Sequence, residues 1–512
     1  LPAAEALAAA LTGTMIVSGR SLTASAAGRV AELAGRLREL AGPREEPEPR
    51  GFAGALRGYQ RRGLAWLRDL CELGLGGCLA DDMGLGKTIQ VIALHLARRG
   101  GPMLVVCPAS LIGNWESELH AFAPSERVRR YHGVARELDD LGPGEVALTT
   151  YGTLRRDGAR LAEVEWDLVV ADEAQQVKNA ASAAARELRR LPARARIALT
   201  GTPVENRLLD LWAILDWTTP GLLGSRQAFA AWTTAIDRGA DEMAATRLRR
   251  LVQPFLLRRR KSDPGVAPEL PPRIETDHIV ALTPEQVGLY EAVIRETESV
   301  IRGSEGIQRR GLVLKLITLL KQVCNHPAHY LREKGPLAGR SGKLEALDDL
   351  LEVILDDGES LLVFTQYVEM GRLLERHLRG RCPTAFLHGG VAARRRDEMV
   401  RRFQAGQVPV LLVSLRAGGF GLNLSRAGHV VHFDRWWNPA VEDQATDRAH
   451  RIGQRRTVQV HRLVTEGTVE DRIAALLSRK RDLAERVVGT GEAWVSELSD
   501  EELGQLVRLR RP

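Results

Sequence analysis

The chain has 512 residues, and 72 Lys and Arg against 65 Asp and Glu leave a formal net charge of +7. At about 150 residues per domain, this length predicts about three folding units. Hydrophobic residues at 44% and charged residues at 27% exclude a predominantly disordered chain. The small positive excess permits a polyanionic partner without requiring one.

Cysteine usage and the first residues indicate the compartment. The five cysteines include no C-x-x-C pair, which argues against a disulfide framework and against a thiolate zinc site. The first residues carry no basic stretch, and Glu5 interrupts the apolar run that follows, so we expect no signal peptide. No run of 18 uncharged apolar residues occurs, so we expect no membrane span and a reducing cytoplasm.

Taken in chain order, the predicted elements begin with one or two helices in residues 1–41, followed by a Pro- and charge-rich boundary. Beyond it, short apolar runs alternate with helical patterns in two series. The predicted strands are residues 103–107, 167–171 and 196–200, then 361–364, 410–413, 429–433 and 458–461. This alternation is typical of an α/β fold with doubly wound parallel sheets.

We therefore predict two parallel-sheet lobes with helical insertions and a flanking N-terminal helical segment. The predicted domains are 1–50 (helices and linker), 51–255 (first lobe with a helical insertion near its end), 256–340 (linker and insertion), 341–490 (second lobe) and 491–512 (tail). Function is expected in a cleft between the lobes. For the basic run at residues 258–261, packing of the linker and contact with a phosphate are equally good interpretations.

A glycine-rich segment with the sequence DDMGLGKT, residues 81–88, precedes a predicted helix. Gly84 and Gly86 would let backbone N–H groups approach phosphate oxygens at the positive end of that helix. Lys87 would reach the β- and γ-phosphates of ATP, and the Thr88 hydroxyl would ligate Mg²⁺. The segment departs from G-x-x-x-x-G-K-[ST], because Asp81 stands where the first Gly belongs.

Two further groups of residues complete the predicted chemistry. Asp172 and Glu173 follow a predicted strand directly, where one acid would hold Mg²⁺ and the other would deprotonate the attacking water. We assign Asp172 to the metal and Glu173 to the base. Arg448 and Arg451 are three residues apart, so we predict that they share one face of a helix and neutralise the transferring γ-phosphoryl group across the cleft. A solvated basic helix is the alternative interpretation of these arginines alone.

In this order the motifs resemble those of SWI/SNF-type DNA-dependent ATPases of helicase superfamily two, in a bacterial-like form. The resemblance runs from about Leu56 to about Leu477. Other matching segments are residues 57–60, 107–115, 148–151, 199–206, 363–366, 414–423, 433–439 and 444–454. The resemblance implies two RecA-like lobes that use ATP and Mg²⁺.

The resemblance also implies roles for individual residues. The catalytic residues are Lys87, Asp172, Glu173, Arg448 and Arg451, and the Mg²⁺ ligands are Thr88 and Asp172. Nucleotide binding falls to Gln60, Asp81, Gly84, Gly86, Lys87, Thr88, Gly421 and Gln444. Sequence-nonspecific contacts with DNA phosphates fall to Ser110, Thr149, Thr150 and Thr365.

The function that the resemblance implies is ATP-driven translocation along double-stranded DNA without strand separation, with a DNA-bound protein as cargo. In a bacterium the protein would then associate with the nucleoid. The oligomeric state stays open. The alternatives are a strand-separating DNA or RNA helicase and a nucleotide-gated scaffold without turnover, and the intact catalytic set disfavours the scaffold.

Some single residues also carry expectations. The family commonly has His where Gln175 stands, and Gln keeps a donor and an acceptor. We expect hydrolysis to survive because Asp172 and Glu173 are intact, and the coupling of hydrolysis to lobe movement stays open. We expect Cys324 and His326 to form a packed turn, since two lone ligands cannot complete a tetrahedral metal site. For Trp436 and Trp437 we favour packing over stacking on a base.

Overall fold

The computed structural model describes residues 2–17, 20–40, 42, 44–133, 136–201, 208–237, 242–304, 306–414, 422–436, 439–474 and 500–509. The chain divides into two compact units, Leu1–Pro268 and Glu269–Pro512. Across the described ranges, no helix is long and apolar enough to cross a membrane.

The first unit contains a seven-stranded sheet, a small hairpin and surrounding helices. Its strands are β1 (Thr14–Val17), β2 (Arg20–Thr23), β3 (Gly77–Leu79), β4 (Met103–Cys107), β5 (Val128–Arg130), β6 (Val146–Thr150), β7 (Trp166–Asp172), β8 (Ala193–Leu199) and β9 (Leu256–Leu257). Its helices are α1 (Ala3–Thr12), α2 (Gly28–Glu39), α3 (Gly58–Glu72), α4 (Lys87–Arg98), α5 (Ile112–Phe122), α6 (Tyr151–Leu161), α7 (Ala183–Arg190), α8 (Leu208–Thr218), α9 (Arg226–Asp237) and α10 (Glu242–Val252). Short 3₁₀ helices span Ala174–Val177 and Gln253–Phe255.

The strands of this sheet lie in the order β5-β6-β4-β7-β8-β3-β9, and their recorded pairings are parallel. Every residue of β4 and β6 is buried. Because successive side chains of a strand point to opposite faces, both faces of the sheet are covered there. The doubly covered parallel sheet predicted for the first lobe is confirmed.

The second unit is built around a six-stranded sheet. Its strands are β10 (Arg273–Val280), β11 (Leu361–Thr365), β12 (Thr384–Leu387), β13 (Val410–Ser414), β14 (His429–His432) and β15 (Val458–Thr465). Its helices are α11 (Pro284–Arg302), α12 (Gly306–Asn325), α13 (Pro327–Leu331), α14 (Gly342–Asp356), α15 (Val368–Leu378), α16 (Ala393–Gln404), α17 (Pro439–Thr446) and α18 (Asp500–Val507). The order β10-β15-β14-β11-β13-β12 is again joined by parallel pairings, so the second predicted lobe is also confirmed.

Three features differ from the sequence-based expectation. The length predicts about three folding units, whereas the chain divides into two. In the N-terminal segment, an antiparallel hairpin of β1 and β2 separates the two helices. The predicted linker at 256–340 is divided between the units: β9 pairs with β3 of the first sheet, whereas β10 pairs with β15 along eight residues of the second. Strand β10 lies at the edge of the sheet, and its sequence RIETDHIV is polar and half-exposed. It was missed because it has no continuous apolar run, the pattern by which buried strands are predicted.

Candidate nucleotide-binding site

The glycine-rich loop connects β3 to α4, which begins at Lys87. Gly84 and Gly86 have φ values of 86° and 75°, in the left-handed region where glycine carries little steric cost. A Cβ atom on Gly86 would lie 2.6 Å from Nε2 of Gln60, which leaves no room for a side chain. The predicted turn into a helix N-terminus, the geometry that accepts phosphate, is therefore present.

The predicted phosphate-binding lysine folds back onto its own loop. Lys87 Nζ donates to the backbone carbonyl of Asp81 at 2.6 Å and to that of Asp82 at 3.4 Å. Buried Gln60 packs against the same loop, because its Nε2 donates to the Leu85 carbonyl at 3.1 Å. Thr88, the predicted magnesium ligand, is half-buried in the first turn of α4.

The residue that replaces the first glycine of the motif has a structural partner. The Asp81 carboxylate is fully buried and accepts from Arg259 Nε at 2.9 Å and from Arg259 Nη2 at 2.5 Å. The prediction that Asp81 binds nucleotide is therefore corrected as far as its side chain is concerned, because the Asp81 carboxylate is paired with Arg259 inside the protein. Arg259 belongs to the basic run at 258–261, so packing is the better interpretation for this arginine.

The predicted metal ligand lies at the carboxyl end of β7. Asp172 accepts from Trp115 Nε1 at 2.8 Å and from the backbone N–H of Glu173 at 2.9 Å. Burial, followed by the neighbouring Glu173 carboxylate, raises the pKa of Asp172 well above its usual range, and Lys87 acts in the opposite direction. A desolvated carboxylate next to a second one favours a nearby cation, so Asp172 has the chemistry of a magnesium ligand, and the Thr88 hydroxyl is an oxygen of the type that Mg²⁺ binds.

The predicted base is held by a short chain of hydrogen bonds. Glu173 is buried and adopts a φ of 50°, which is uncommon for a residue with a side chain. Gln175 Nε2 donates to Glu173 Oε2 at 2.7 Å, while Gln175 Oε1 accepts from Thr200 Oγ1 at 2.9 Å. Gln175 therefore uses both its donor and its acceptor, and it connects the base to the residue that follows β8.

The two predicted arginines belong to the second unit. Helix α17 ends at Thr446, and Arg448 and Arg451 follow in turns, so the prediction that they share a helix face is wrong. Arg448 is buried, whereas Arg451 is half-buried with Nη1 3.5 Å from the Leu422 carbonyl.

Gln454, whose role the sequence did not indicate, explains why the chain turns here. Its Nε2 donates to three backbone carbonyls, and its Oε1 accepts from two backbone N–H groups. These bonds fold residues 447–456 back onto residues 425–427, which is incompatible with a continuing helix. Gln444, predicted to bind nucleotide, is half-buried within α17.

Most of the residues predicted to contact DNA phosphates are buried inside the protein. Thr149 is fully buried and donates to the Tyr131 carbonyl, and Thr365 is fully buried and donates to Asp434 Oδ2 at 2.5 Å. Thr150 is buried as the N-cap of α6. The prediction that these three side chains contact DNA is therefore wrong in this structure, because strand-end hydroxyls satisfy internal groups. Ser110 is half-buried.

Parts of three predicted segments lie outside the described residues, namely residues 202–206, residues 415–421 with Gly421, and residues 437–438 with Trp437. The predicted packed turn is confirmed, since buried His326 accepts from the Ala328 backbone N–H and contacts the Leu337 carbonyl. Among the described residues, no cluster of three or more His, Cys, Asp or Glu is arranged to hold a metal ion. Trp436 packs, half-buried, against two apolar clusters of the second unit.

A glycine loop at a helix N-terminus, with an acid pair at the end of a strand of the same parallel sheet, defines a nucleotide-binding α/β protein. The model of the SNF2-related domain matches residues 59–329, and that of the helicase conserved C-terminal domain matches residues 342–453. The chain belongs to the SNF2-related family.

Individual relatives are similar over most of the chain. YwqA of Bacillus subtilis, named as a candidate ATP-dependent helicase/translocase, is 45% identical over 90% of this chain and 51% of its own length. The mouse SWI/SNF-related regulator of chromatin, subfamily A member 1, is 36% identical over 89% of this chain and 46% of its own. The chain thus spans about half the length of these relatives. The Sulfolobus solfataricus SWI2/SNF2 ATPase core, solved in complex with double-stranded DNA, is 41% identical over 91% of this chain and 99% of that chain, with a TM-score of 0.45.

Proposed function

We propose that this chain hydrolyses Mg²⁺-ATP to translocate along double-stranded DNA and to displace or move proteins bound there. The observation that carries the proposal is the set formed by Lys87 on its glycine loop, Asp172 at a strand end, and Glu173 held through Gln175. This set contains a phosphate-binding cation, a metal ligand and a positioned base, the groups that phosphoryl transfer to water needs. The names of the Bacillus and mouse relatives support ATP-driven movement and a chromatin-type substrate.

Each residue of the set has a defined task in this proposal. Lys87 exchanges the carbonyls of Asp81 and Asp82 for phosphate oxygens, because a phosphate is the stronger acceptor for an ammonium group. Thr88 and Asp172 would hold Mg²⁺, which supplies charge neutralisation on the phosphates when it is bound. Glu173 takes the proton of the attacking water, and its hydrogen bond from Gln175 fixes the direction of that carboxylate.

The arginines of the second unit complete the proposal. We assign Arg451 to the γ-phosphoryl group during turnover, because Arg451 is half-buried whereas Arg448 is buried. Arg448 is buried at 2% exposure, so a role in direct contact would require residues 447–453 to move. A planar guanidinium suits the spread charge of a transferring phosphoryl group.

The test is ATP turnover of the whole chain with duplex DNA, single-stranded DNA, RNA and no nucleic acid. We expect duplex DNA to give the largest stimulation, with little dependence on its sequence and a steep dependence of binding on salt. Lys87→Ala should abolish turnover and weaken ATP binding, whereas Glu173→Gln should bind ATP and not turn it over. Stimulation by single strands alone would support the strand-separating alternative, and absence of turnover in the parent chain would refute the proposal.

A further inference from the structure

The last segment of the first unit is bonded directly to the nucleotide loop. Strand β9 pairs with β3, and the pairing continues past both strands: Ala80 N–H donates to the Leu257 carbonyl at 2.7 Å and Asp82 N–H to the Arg259 carbonyl at 3.0 Å. The Lys261 N–H in turn donates to Asp82 Oδ2 at 3.0 Å. Residues 257–261 therefore extend the β9–β3 pairing irregularly alongside residues 80–82.

The side chain of Arg259 joins the three parts of the first unit that surround the loop. It holds the buried Asp81 carboxylate, donates to the Tyr59 carbonyl at the start of α3, and donates to Gln90 Oε1 in α4 at 2.8 Å. Its guanidinium also lies 5.0 Å from the centre of the Tyr59 ring. A guanidinium has five donors in a planar fork, so lysine cannot reproduce this set of contacts.

The surrounding residues leave space for this arrangement. A Cβ atom on Gly63 of α3 would lie 1.9 Å from Gln90 Oε1 and 2.8 Å from Arg259 Nη2. The Gln90 side chain is fully buried, and its Nε2 donates to the Gly86 carbonyl of the loop at 3.1 Å. Arg259 thus supports the loop through Asp81 and Gln90, and each of its side-chain hydrogen bonds described here goes to a protein group.

We propose that Arg259 is a positioning residue for the nucleotide, and that the Asp81–Arg259 pair transmits nucleotide occupancy to residues 259–268. That segment is the stretch of chain that leads into the second unit, which begins at Glu269. The inference rests on the proposed nucleotide site.

The coupling follows from the contacts of Lys87. Its ammonium donates to the carbonyls of Asp81 and Asp82, and a bound phosphate removes that donor from both carbonyls. The same two residues are the ones bonded to Arg259 and Lys261. A change in the backbone at 81–82 is therefore passed to 259–261 through four contacts. These are the backbone hydrogen bonds between the two segments, the Asp81–Arg259 ion pair, the hydrogen bond from Lys261 N–H to the Asp82 carboxylate, and Gln90, which bonds both Arg259 and the loop.

Hydrogen exchange of the whole chain, with and without ADP or a non-hydrolysable ATP analogue plus Mg²⁺, tests the coupling. In the parent chain we expect nucleotide to change exchange at residues 82–88 and also at residues 259–268. In Arg259→Met, saturating nucleotide should still protect 82–88 but leave 259–268 unchanged. Arg258→Met is the matched control, because Arg258 is an exposed member of the same basic run, and it should respond as the parent does.

The outcomes separate this inference from the proposed function. Protection at 82–88 in the parent with no change at 259–268 would overturn the inference alone. An identical response of 259–268 in the parent and in Arg259→Met would also overturn it. Absence of any nucleotide protection at 82–88 in the parent would overturn the proposed function together with the inference.

Steady-state kinetics give a second test. A purely structural role would lower kcat and raise KM together, whereas a positioning role acts mainly on the KM for ATP. Arg259→Met should raise the KM for ATP by about tenfold, equivalent to about 1.4 kcal/mol, with a smaller change in kcat. Arg259→Lys should recover only part of the loss. If Arg259→Met does not fold because Asp81 is left as an unpaired buried charge, the double variant Asp81→Asn, Arg259→Met removes both charges and should show the same KM increase. An unchanged KM in the folded variant would refute the positioning role.

Discussion

Gln175 makes one hydrogen bond to Glu173 and one to Thr200, and replacing it with Glu removes the first while keeping the second. The substitution keeps the acceptor toward Thr200 but replaces the N–H donor, now 2.7 Å from Glu173 Oε2, with a carboxylate oxygen. A hydrogen bond to a charged group contributes about 1.5–3 kcal/mol, so its loss alone should lower turnover by about tenfold to 150-fold. Repulsion between the two carboxylates adds to that loss. Gln175→His should retain most of the parental rate, because imidazole also offers a donor and an acceptor.

The assay is DNA-stimulated ATP turnover, alongside ATP binding in the absence of DNA. We expect Gln175→Glu to lower kcat much more than it changes ATP affinity, because the bond acts on the base and leaves the phosphate-binding loop intact. Gln176→Glu adds the same charge at the exposed neighbouring position and is the control. Parental turnover in Gln175→Glu would refute the role given to this bond.

Two further predictions concern the stability of the second unit. The charged groups of Lys343 and Glu470 are fully buried and 2.7 Å apart. Lys343→Met should therefore lower the free energy of unfolding, measured by urea denaturation, by about 3–5 kcal/mol, and adding Glu470→Gln should recover much of that loss. A loss below about 1 kcal/mol would contradict this. Burial lowers the pKa of His432 to about 4, so the unfolded chain takes up the proton first and stability is lost as the pH falls from about 6.5 to about 4. His432→Gln should therefore show a flatter dependence of Tm on pH over that interval, and an unchanged dependence would contradict the assignment.

The core of the fold could be predicted because its strands are continuous apolar runs. Predicted residues 103–107 coincide with β4, and predicted residues 410–413 fall within β13, since both strands are buried along their whole length. Strand β10 escaped prediction for the opposite reason. It lies at a sheet edge, where exposed polar residues are tolerated, and only its pairing with β15 identifies it as a strand.

The site was predictable only where its chemistry is local in sequence. The loop from Gly84 to Thr88 and the acid pair at Asp172 carry their spacing within a few residues. The ion pair of Asp81 with Arg259 joins positions 178 residues apart, so no local pattern could indicate it. The strand-end threonines illustrate a further limit, because a hydroxyl that bonds an internal carbonyl and one that contacts a phosphate look alike in sequence.

ATP turnover at saturating duplex DNA in the parent chain and in Arg451→Ala decides whether the nucleotide site depends on the second unit. An arginine that stabilises a transferring phosphoryl group typically contributes 10³–10⁵ in rate, so Arg451→Ala should lower turnover at least about 100-fold. ATP affinity measured without DNA should be retained, because Lys87 and its loop are unchanged. Arg451→Lys should recover little, since a point charge does not reproduce the planar fork. Parental turnover in both Arg451→Ala and Arg448→Ala would contradict the account of a two-unit motor.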